Sequence, residues 1–497
     1  MSLTRPQNRL YMAAQVRELD RLAIEEHGIE GFELMMRAAH AAFEVLKRQW
    51  AHANKILLVC GSGNNGGDGY LLASLALQAG IKVNLIDAAD IKNLKDDAAR
   101  AHQHWLQAGG KGWSLSRIND DLFDVDVIVD ALLGTGLQRP VSGDWAQLIS
   151  RINAAHRPVL AIDIASGLNA DTGQVMGVAV TADVTISFIG LKRGLFTASG
   201  TGISGKVLFN DLDVPPGVYD QITPATSIID DAERQQLLTP RTADCHKGDC
   251  GHVLLVGGNT GMAGAIQMAA LAAARTGAGL VSIATRRAHA LQITTACPGL
   301  MAHAVESIEA LQPLIQRADV IAIGPGLGQD AWANMVLDQV LGSGLPQVID
   351  ADGLNLLAIK LLQHNRWILT PHPAEAARLL QCSTADVQSD RFTAVADMAS
   401  QYGGVVVLKG NGTLISESGD DKTWLCRQGN PGMASAGMGD VLTGIIAALV
   451  GQGLSLAESA RLGVYIHANA ADSASIDGQR GLLATDLLPA IRQWVNP

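Results

Sequence analysis

The sequence predicts two α/β domains in tandem, and three observations carry that reading. At 497 residues the chain is too long for one compact core. Short apolar runs alternate with helix-like stretches in both halves. The alternation fails once, over 211–226, where Asp-Leu-Asp-Val-Pro-Pro-Gly has no period and Pro224 follows. A linker is expected there, with domains over 1–218 and 219–497.

In the first half a helix is predicted over 16–24. Residues 55–60, Lys-Ile-Leu-Leu-Val-Cys, read as a short buried strand, and the loop Gly61-Ser-Gly-Asn-Asn-Gly-Gly-Asp-Gly69 follows directly. Residues 70–79 then read as a helix. Strand, glycine loop and helix make the phosphate-binding unit of a Rossmann-like, three-layer fold. Gly61, Gly63 and Gly66 spell the dinucleotide pattern, and Asp87 follows the strand 81–86, where a ribose-binding acid would sit. That pattern is common by chance. Asn64, Asn65 and Asp68 say more: a structural turn accounts for the glycines but not for Asp68. A helix over 97–107, a strand over 125–130, a loop over 134–140, a helix near 145–154 and strands over 158–163 and 183–188 complete the half. Asp130 and Asp163 end their strands, the edge at which open α/β sheets place ligands.

In the second half, residues 252–256 read as a strand, followed by a glycine-rich loop over 257–264 and a helix to Thr276. Strands are predicted over 280–284, 320–323, 347–350, 367–369 and 405–408. Four of them lead into Gly324-Pro-Gly-Leu-Gly328, Asp350-Ala-Asp-Gly353, Thr370-Pro-His-Pro-Ala-Glu375 and Lys409-Gly-Asn-Gly-Thr413. Polar loops after successive strands imply one site ringed by strand ends. The most informative segment is Asn430-Pro-Gly-Met-Ala-Ser-Ala-Gly-Met-Gly-Asp440, which runs into an apolar helix over 441–450. Gly437 and Gly439 leave bare N–H groups at a helix N-terminus, which favours an anion. A carboxylate repels phosphate, so Asp440 suits a general base, taking a proton from a hydroxyl that attacks a phosphoryl group. This is the arrangement of a small-molecule kinase or of a phosphoryl-assisted lyase. The plain alternative is a glycine turn capped by Asp440.

Composition narrows the partners. The formal net charge is −11, no basic run occurs and aromatics make up 4 %, which argues against non-specific nucleic-acid binding. An acidic protein that binds an anionic ligand must rely on backbone N–H groups and a few placed cations. The six cysteines are scattered, and the one close pair, Cys245 and Cys250, lacks zinc-like spacing. The first residues carry no apolar signal core, and no apolar run approaches about 18 residues. A cytoplasmic protein with reduced thiols and no membrane partner is expected.

These motifs, in this order, resemble those of the bifunctional NAD(P)H-hydrate repair enzymes, and the likeness covers nearly the whole chain. The N-terminal half resembles the epimerase domain through residues 64–68, 134–139 and 163–167. The C-terminal half resembles the ADP- or ATP-dependent dehydratase domain, of ribokinase-like α/β fold, through residues 324–328, 370–375, 409–413 and 430–440. The substrate implied is NADH or NADPH that has taken up water on its nicotinamide ring. Hydroxide leaves poorly, and phosphorylating it creates a phosphate that leaves readily.

The resemblance also implies residue roles. Lys409, Gly410, Asn411, Gly412, Thr413 and Gly439 would hold the nucleotide, ADP or ATP with magnesium. Ala263, Gly326 and His372 would line the hydrate pocket with Asp440 as base; the plainer alternative for His372, between two prolines, is that it braces a turn. In the epimerase half, Asn64, Asn65, Gly66, Gly67 and Asp68 would meet the substrate phosphates and ribose, together with Gly134, Thr135, Gly136, Leu137, Gln138, Arg139 and Pro140. Asp163 would bind substrate and act in proton transfer at the ring, and Asn65, Asp130 and Ser166 would hold potassium. A homo-oligomer is implied as well. Two other readings stay open: a vitamin or sugar kinase fused to a regulatory dinucleotide-binding domain, and a first half that serves only as a binding or scaffold module. Product analysis separates kinase from dehydratase.

Overall fold

The structure is a computed structural model that describes residues 8–496. The chain divides into two compact units, Met1–Thr226 and Ser227–Pro497.

The first unit holds a parallel sheet whose strands run, edge to edge, Trp113–Ser114, Lys82–Asp87, Lys55–Cys60, Val127–Ala131, Val159–Ile162, Val184–Phe188 and Lys206–Asn210. In chain order this is 3-2-1-4-5-6-7, the doubly wound Rossmann order with one strand added. Helices cover both faces, so the central strands read as unbroken apolar runs rather than as alternation. Helix Asn64–Gln78 begins six residues before the predicted start at 70, because the glycine segment is itself the first turn. Helix Gly31–Gln49, over which no element was expected, buries Leu34, Met35, Ala38, Ala42, Val45 and Leu46. That is a stripe at helical spacing.

The expected linker is instead part of the first core. Leu212, Val214, Val218 and Tyr219 pack in one cluster with Val16 and Leu19. The Tyr219 hydroxyl donates to the Ile189 carbonyl at 2.8 Å. The prolines mark the start of a short helix, Pro216–Asp220, where a missing N–H does no harm. The division therefore falls at 226/227 rather than at 218/219.

The second unit holds strands in the order Met301–Ala304, Leu280–Thr285, His252–Val256, Val320–Ile323, Gln347–Ile349, Trp367–Leu369, Val405–Leu408, Thr413–Glu417 and Thr423–Cys426. The first seven are parallel and the last two pair antiparallel. Helix Met438–Gly451 buries every residue from Val441 to Leu449, as a helix that is apolar all round must. Among the described residues no helix is long and apolar enough to cross a membrane.

Candidate functional sites

In the first unit the loops at the strand ends enclose a cavity of about 920 Å³. Asn64, Asn65, Asp68, all of Gly134 to Pro140, and Asp163 line it, as the sequence predicts. Gly66 and Gly67 lie behind the wall. A Cβ on Gly66 would meet the Gly61 carbonyl oxygen at 2.1 Å, and one on Gly67 the Met35 sulfur at 2.6 Å. Gly66 lets the helix start close to the strand end, and Gly67 lets helix Gly31–Gln49 approach it. Asp87 is not a ribose acid here: it is buried and its carboxylate accepts the Tyr70 hydroxyl at 2.9 Å.

Asp163 follows strand Val159–Ile162 in a left-handed conformation, φ 67°, which is strained for a residue with a Cβ. Its carboxylate is ion-paired with Lys192, a fully buried side chain, and accepts the Phe188 N–H at 3.2 Å. The Lys192 ammonium also donates to Ser187 Oγ at 3.0 Å and to the Phe188 carbonyl at 3.2 Å. Lys192 and Asp20 line the same cavity, and neither was expected from the sequence. A lysine inside the apolar run 184–196 was the available signal for the first. Burial holds the Asp68 carboxyl well above the usual range, and the charges of Asp163 and Asp20 add to the effect.

Behind this wall Asn65, Asp130 and Ser166 come together. Ser166 Oγ donates to Asp130 Oδ1 at 2.6 Å, and Ser166 N to Asp130 Oδ2 at 2.8 Å. The Asn65 amide donates to the Leu133 carbonyl at 3.0 Å, while Leu133 N donates to Ser166 Oγ at 2.8 Å. Asn65 Oδ1 is buried without a partner. Burial pushes the Asp130 carboxyl up to about 6, against the bonds from Ser166. An orphaned amide oxygen beside a carboxylate, a hydroxyl and a carbonyl is a donor set that fits a hard monovalent cation.

In the second unit the polar loops converge as expected. Asn259 N donates to the Gly326 carbonyl at 2.7 Å, which sets Gly326 against the loop before Ala263. Lys409 N donates to the Pro371 carbonyl at 2.9 Å, which joins loop 409–413 to His372. Buried Arg391 braces the former by donating to the Leu408 and Gly412 carbonyls, both at 3.2 Å. Thr413 Oγ1 donates to the Gly410 carbonyl of its own loop at 3.0 Å.

Lys409 is not a free cation. Its ammonium lies 2.7 Å from Asp350 Oδ1 and 3.9 Å from Glu375 Oε2. Helix Met438–Gly451 is preceded by the cap residue Gly437, whose φ of 91° suits glycine and which offers no side chain to bond the N–H groups of the first turn. A Cβ on Gly439 would sit 3.3 Å from Lys409 Nζ and 3.4 Å from Asp350 Oδ2. Asp440 follows, within electrostatic reach of Asp350, Lys409 and Glu375. Burial first, and then the negative charge of Asp350, push its carboxyl up to about 7.

His372 shows the bracing role weighed for it. Nδ1 accepts from Ala374 N at 3.1 Å and Glu375 N at 3.3 Å, capping helix Pro373–Leu380. The imidazole is still 48 % exposed, so it remains available to a ligand. Burial and the Lys409 charge lower its pKa, and the accepting Nδ1 places the proton on Nε2, 3.2 Å from Glu375 Oε1. The Cys245 and Cys250 sulfurs lie 3.3 Å apart as free thiols. No group of His, Cys, Asp and Glu that could hold a metal ion occurs among the described residues.

Comparison with known proteins finds one family match in each half of the chain. A family model described as YjeF-related protein N-terminus matches residues 31–194, and one described as NAD(P)H-hydrate dehydratase matches residues 253–493. The bifunctional NAD(P)H-hydrate repair enzyme Nnr of Coxiella burnetii is 48 % identical, with 98 % of this chain and 99 % of that protein covered. Its namesake from Escherichia coli is 43 % identical, with coverage of 98 % and 94 %. Among solved structures, a ribokinase-like superfamily protein from Enterococcus faecalis is similar to the C-terminal part, with TM-score 0.52 and 28 % identity over 55 % of this chain and 96 % of that one. The first unit is thus a Rossmann-like domain and the second a ribokinase-like one, and the chain belongs to the bifunctional NAD(P)H-hydrate repair enzymes.

Proposed function

We propose that the first unit interconverts the two epimers of hydrated NADH or NADPH and that the second dehydrates one of them at the expense of ADP or ATP. The observation that carries the dehydratase assignment is Asp440: a carboxyl with a pKa raised to about 7, at a glycine-rich helix N-terminus beside the Lys409–Asp350 pair. Asp440 takes the proton from the ring hydroxyl as that oxygen attacks the terminal phosphoryl group. The N–H groups at the start of helix Met438–Gly451 stabilise the charge that develops there. Phosphate then leaves with the electrons of the ring C–O bond, the adjacent ring carbon gives up a proton to solvent, and the electrons of that C–H bond restore the nicotinamide double bond. Gly439 and loop 409–413 hold the nucleotide, whose phosphate charge magnesium, when bound with it, would screen. Ala263, Gly326 and His372 line the hydrate side.

In the first unit, Asn64, Asn65, Asp68 and the 134–140 loop take the phosphates and ribose, and Asp163 moves a proton at the ring. Asn65, Asp130 and Ser166 would hold potassium, whose charge, when bound, would steady the 133–134 turn of that loop. The six free cysteines fit a reducing, cytoplasmic location, and we expect a homo-oligomer that needs neither membrane nor nucleic acid.

The test is incubation of the full chain with a purified epimer mixture and ADP or ATP. Free phosphate and unmodified NAD(P)H should form together. A stable phosphorylated product would identify a kinase and overturn the dehydratase reading.

A further inference from the structure

The first helix brings to the cavity a carboxylate that none of the motifs contains. Helix Ala13–Glu25 is pinned at its start, where Ala13 N donates to Asp171 Oδ1 at 2.7 Å. Val16, Leu19, Leu22 and Ala23 bury one face of it. With that face fixed, Asp20 lines the cavity together with Asp68, Asp163 and Lys192. Asp20 lies ahead of residue 31, where the family match begins. It makes no hydrogen bond or ion pair among the described residues.

The charge count of this cluster does not close. Asp20, Asp68 and Asp163 surround one fully buried ammonium, Lys192, which is already paired with Asp163. Three ionised carboxylates and one ammonium would leave this cluster negative, Asp97 on the same wall adds to that, and Arg17 and Arg139 offset it only in part; crowded carboxylates do not all ionise together. Protons must be retained. Burial, reinforced by Asp163 and opposed by Lys192 and Arg17, raises the Asp20 carboxyl to about 7. Burial raises the Asp68 carboxyl well above the usual carboxylate range as well. Tyr219, from helix Pro216–Asp220, is a further titratable side chain that feels Asp20, and burial raises its hydroxyl above its already alkaline ordinary value.

We propose that Asp20 is a further proton-transfer residue of the epimerase site, the protonated acid that works beside the Asp163–Lys192 pair while Asp163 acts on the ring. This rests on the epimerase reading of the first unit. Inverting a hydroxyl-bearing ring carbon breaks one bond to that carbon and re-forms it on the opposite face. One proton is given to the departing atom and one is taken back, so substrate and protein end with the protons they began with. An ion-paired base and a still-protonated acid must therefore coexist at one pH. Asp163 beside Lys192 supplies the first and Asp20 the second.

The experiment is the pH profile of epimerisation by the full chain without nucleotide, read by chromatography of both epimers. The wild-type rate should fall as pH rises through about 7, where Asp20 gives up its proton. Asp20→Asn, neutral at every pH, should lose that inflection and run roughly tenfold slower in mild acid. Asp20→Glu should recover an inflection at a shifted position. A purely structural role would scale the rate equally at all pH values. An unchanged inflection in Asp20→Asn, or none in the wild type, overturns the proposal. If Asp20→Asn shows no cooperative melt, Asp20→Glu decides, and an unmoved inflection there overturns it too. Wild-type protein that leaves both epimers untouched at every pH would instead refute the epimerase reading, and the inference with it.

Discussion

Lys409 and Asp350 form an ion pair in the second unit, with Nζ 2.7 Å from Oδ1, and Thr443 Oγ1 donates to the other carboxylate oxygen at 2.8 Å. Thr443 belongs to helix Met438–Gly451, so Asp350 ties the 409–413 loop to the helix that carries Asp440. Burial alone would raise the Asp350 carboxyl, but Lys409 and Thr443 outweigh it and pull the carboxyl below its usual value. Removing one partner of a buried pair leaves the other unpaired.

Asp350→Ala should therefore lower the stability of the protein by about 3 kcal/mol and weaken nucleotide binding. Because the folded-state pKa is depressed, the pair's contribution is present above the unfolded value and is lost as pH falls through the folded one. Denaturant melts at neutral pH and in acid check both points: the wild-type advantage over the variant should shrink in acid.

Asp440 has the opposite sign. Its folded pKa is raised to about 7, so the base form builds up only as pH rises through that value, and dehydration should accelerate over the same range. Asp440→Asn should be slower by roughly a hundredfold or more and lose that rise, while nucleotide still binds. Ionising Asp440 inside the fold is unfavourable, so stability is lost between the ordinary carboxylate range and about 7. The Asn variant should accordingly melt at a higher temperature than wild type at mildly alkaline pH. Near-normal turnover in the variant would remove the base role.

Strand positions were largely legible in the sequence because buried parallel strands leave unbroken apolar runs, and 55–60, 252–256, 320–323, 367–369 and 405–408 are found where they were predicted. Asp163 and Asp440 could be singled out because a lone acid after an apolar strand or a glycine loop has few structural uses. What stayed hidden depends on tertiary contact. Lys192, Asp350 and Asp20 acquire meaning only from the group each one faces. Asp87 sits where a ribose-binding acid would, yet Tyr70, seventeen residues away, occupies it. The Pro-Pro-Gly stretch read as a linker because local chemistry cannot show that Val218 and Tyr219 reach the first core.

The proposed cation site gives a separate test. Asn65 Oδ1 is buried without a partner, and a cation would satisfy it. Epimerisation should therefore be faster in potassium than in lithium salts of equal ionic strength. Ser166→Ala, which removes a hydroxyl bonded to Asp130 and Leu133, should raise the potassium requirement roughly tenfold. Dehydration of a single purified epimer by the same samples is the control and should not respond to Ser166→Ala. An epimerase rate indifferent to the cation would remove the site.

The last prediction concerns why both activities share a chain. Adding water to the ring creates a stereocentre, so damaged cofactor is a mixture of two epimers. A pocket built around Asp440 accepts one hydroxyl orientation, because only that one reaches both the base and the phosphoryl group. The other epimer must be inverted first, and that falls to the unit holding Asp163 and Lys192. With excess ADP or ATP, wild-type protein should repair a mixture almost completely. Asp163→Asn breaks the ion pair with Lys192 and removes the proton acceptor, so a fast phase should consume one epimer and then give way to spontaneous inversion. Asp440→Asn should do the reverse: the epimers interconvert but little NAD(P)H returns. Chromatography of both epimers over time distinguishes the three proteins. Consumption of both epimers at wild-type rates by Asp163→Asn would mean that Asp163 does not carry the inversion.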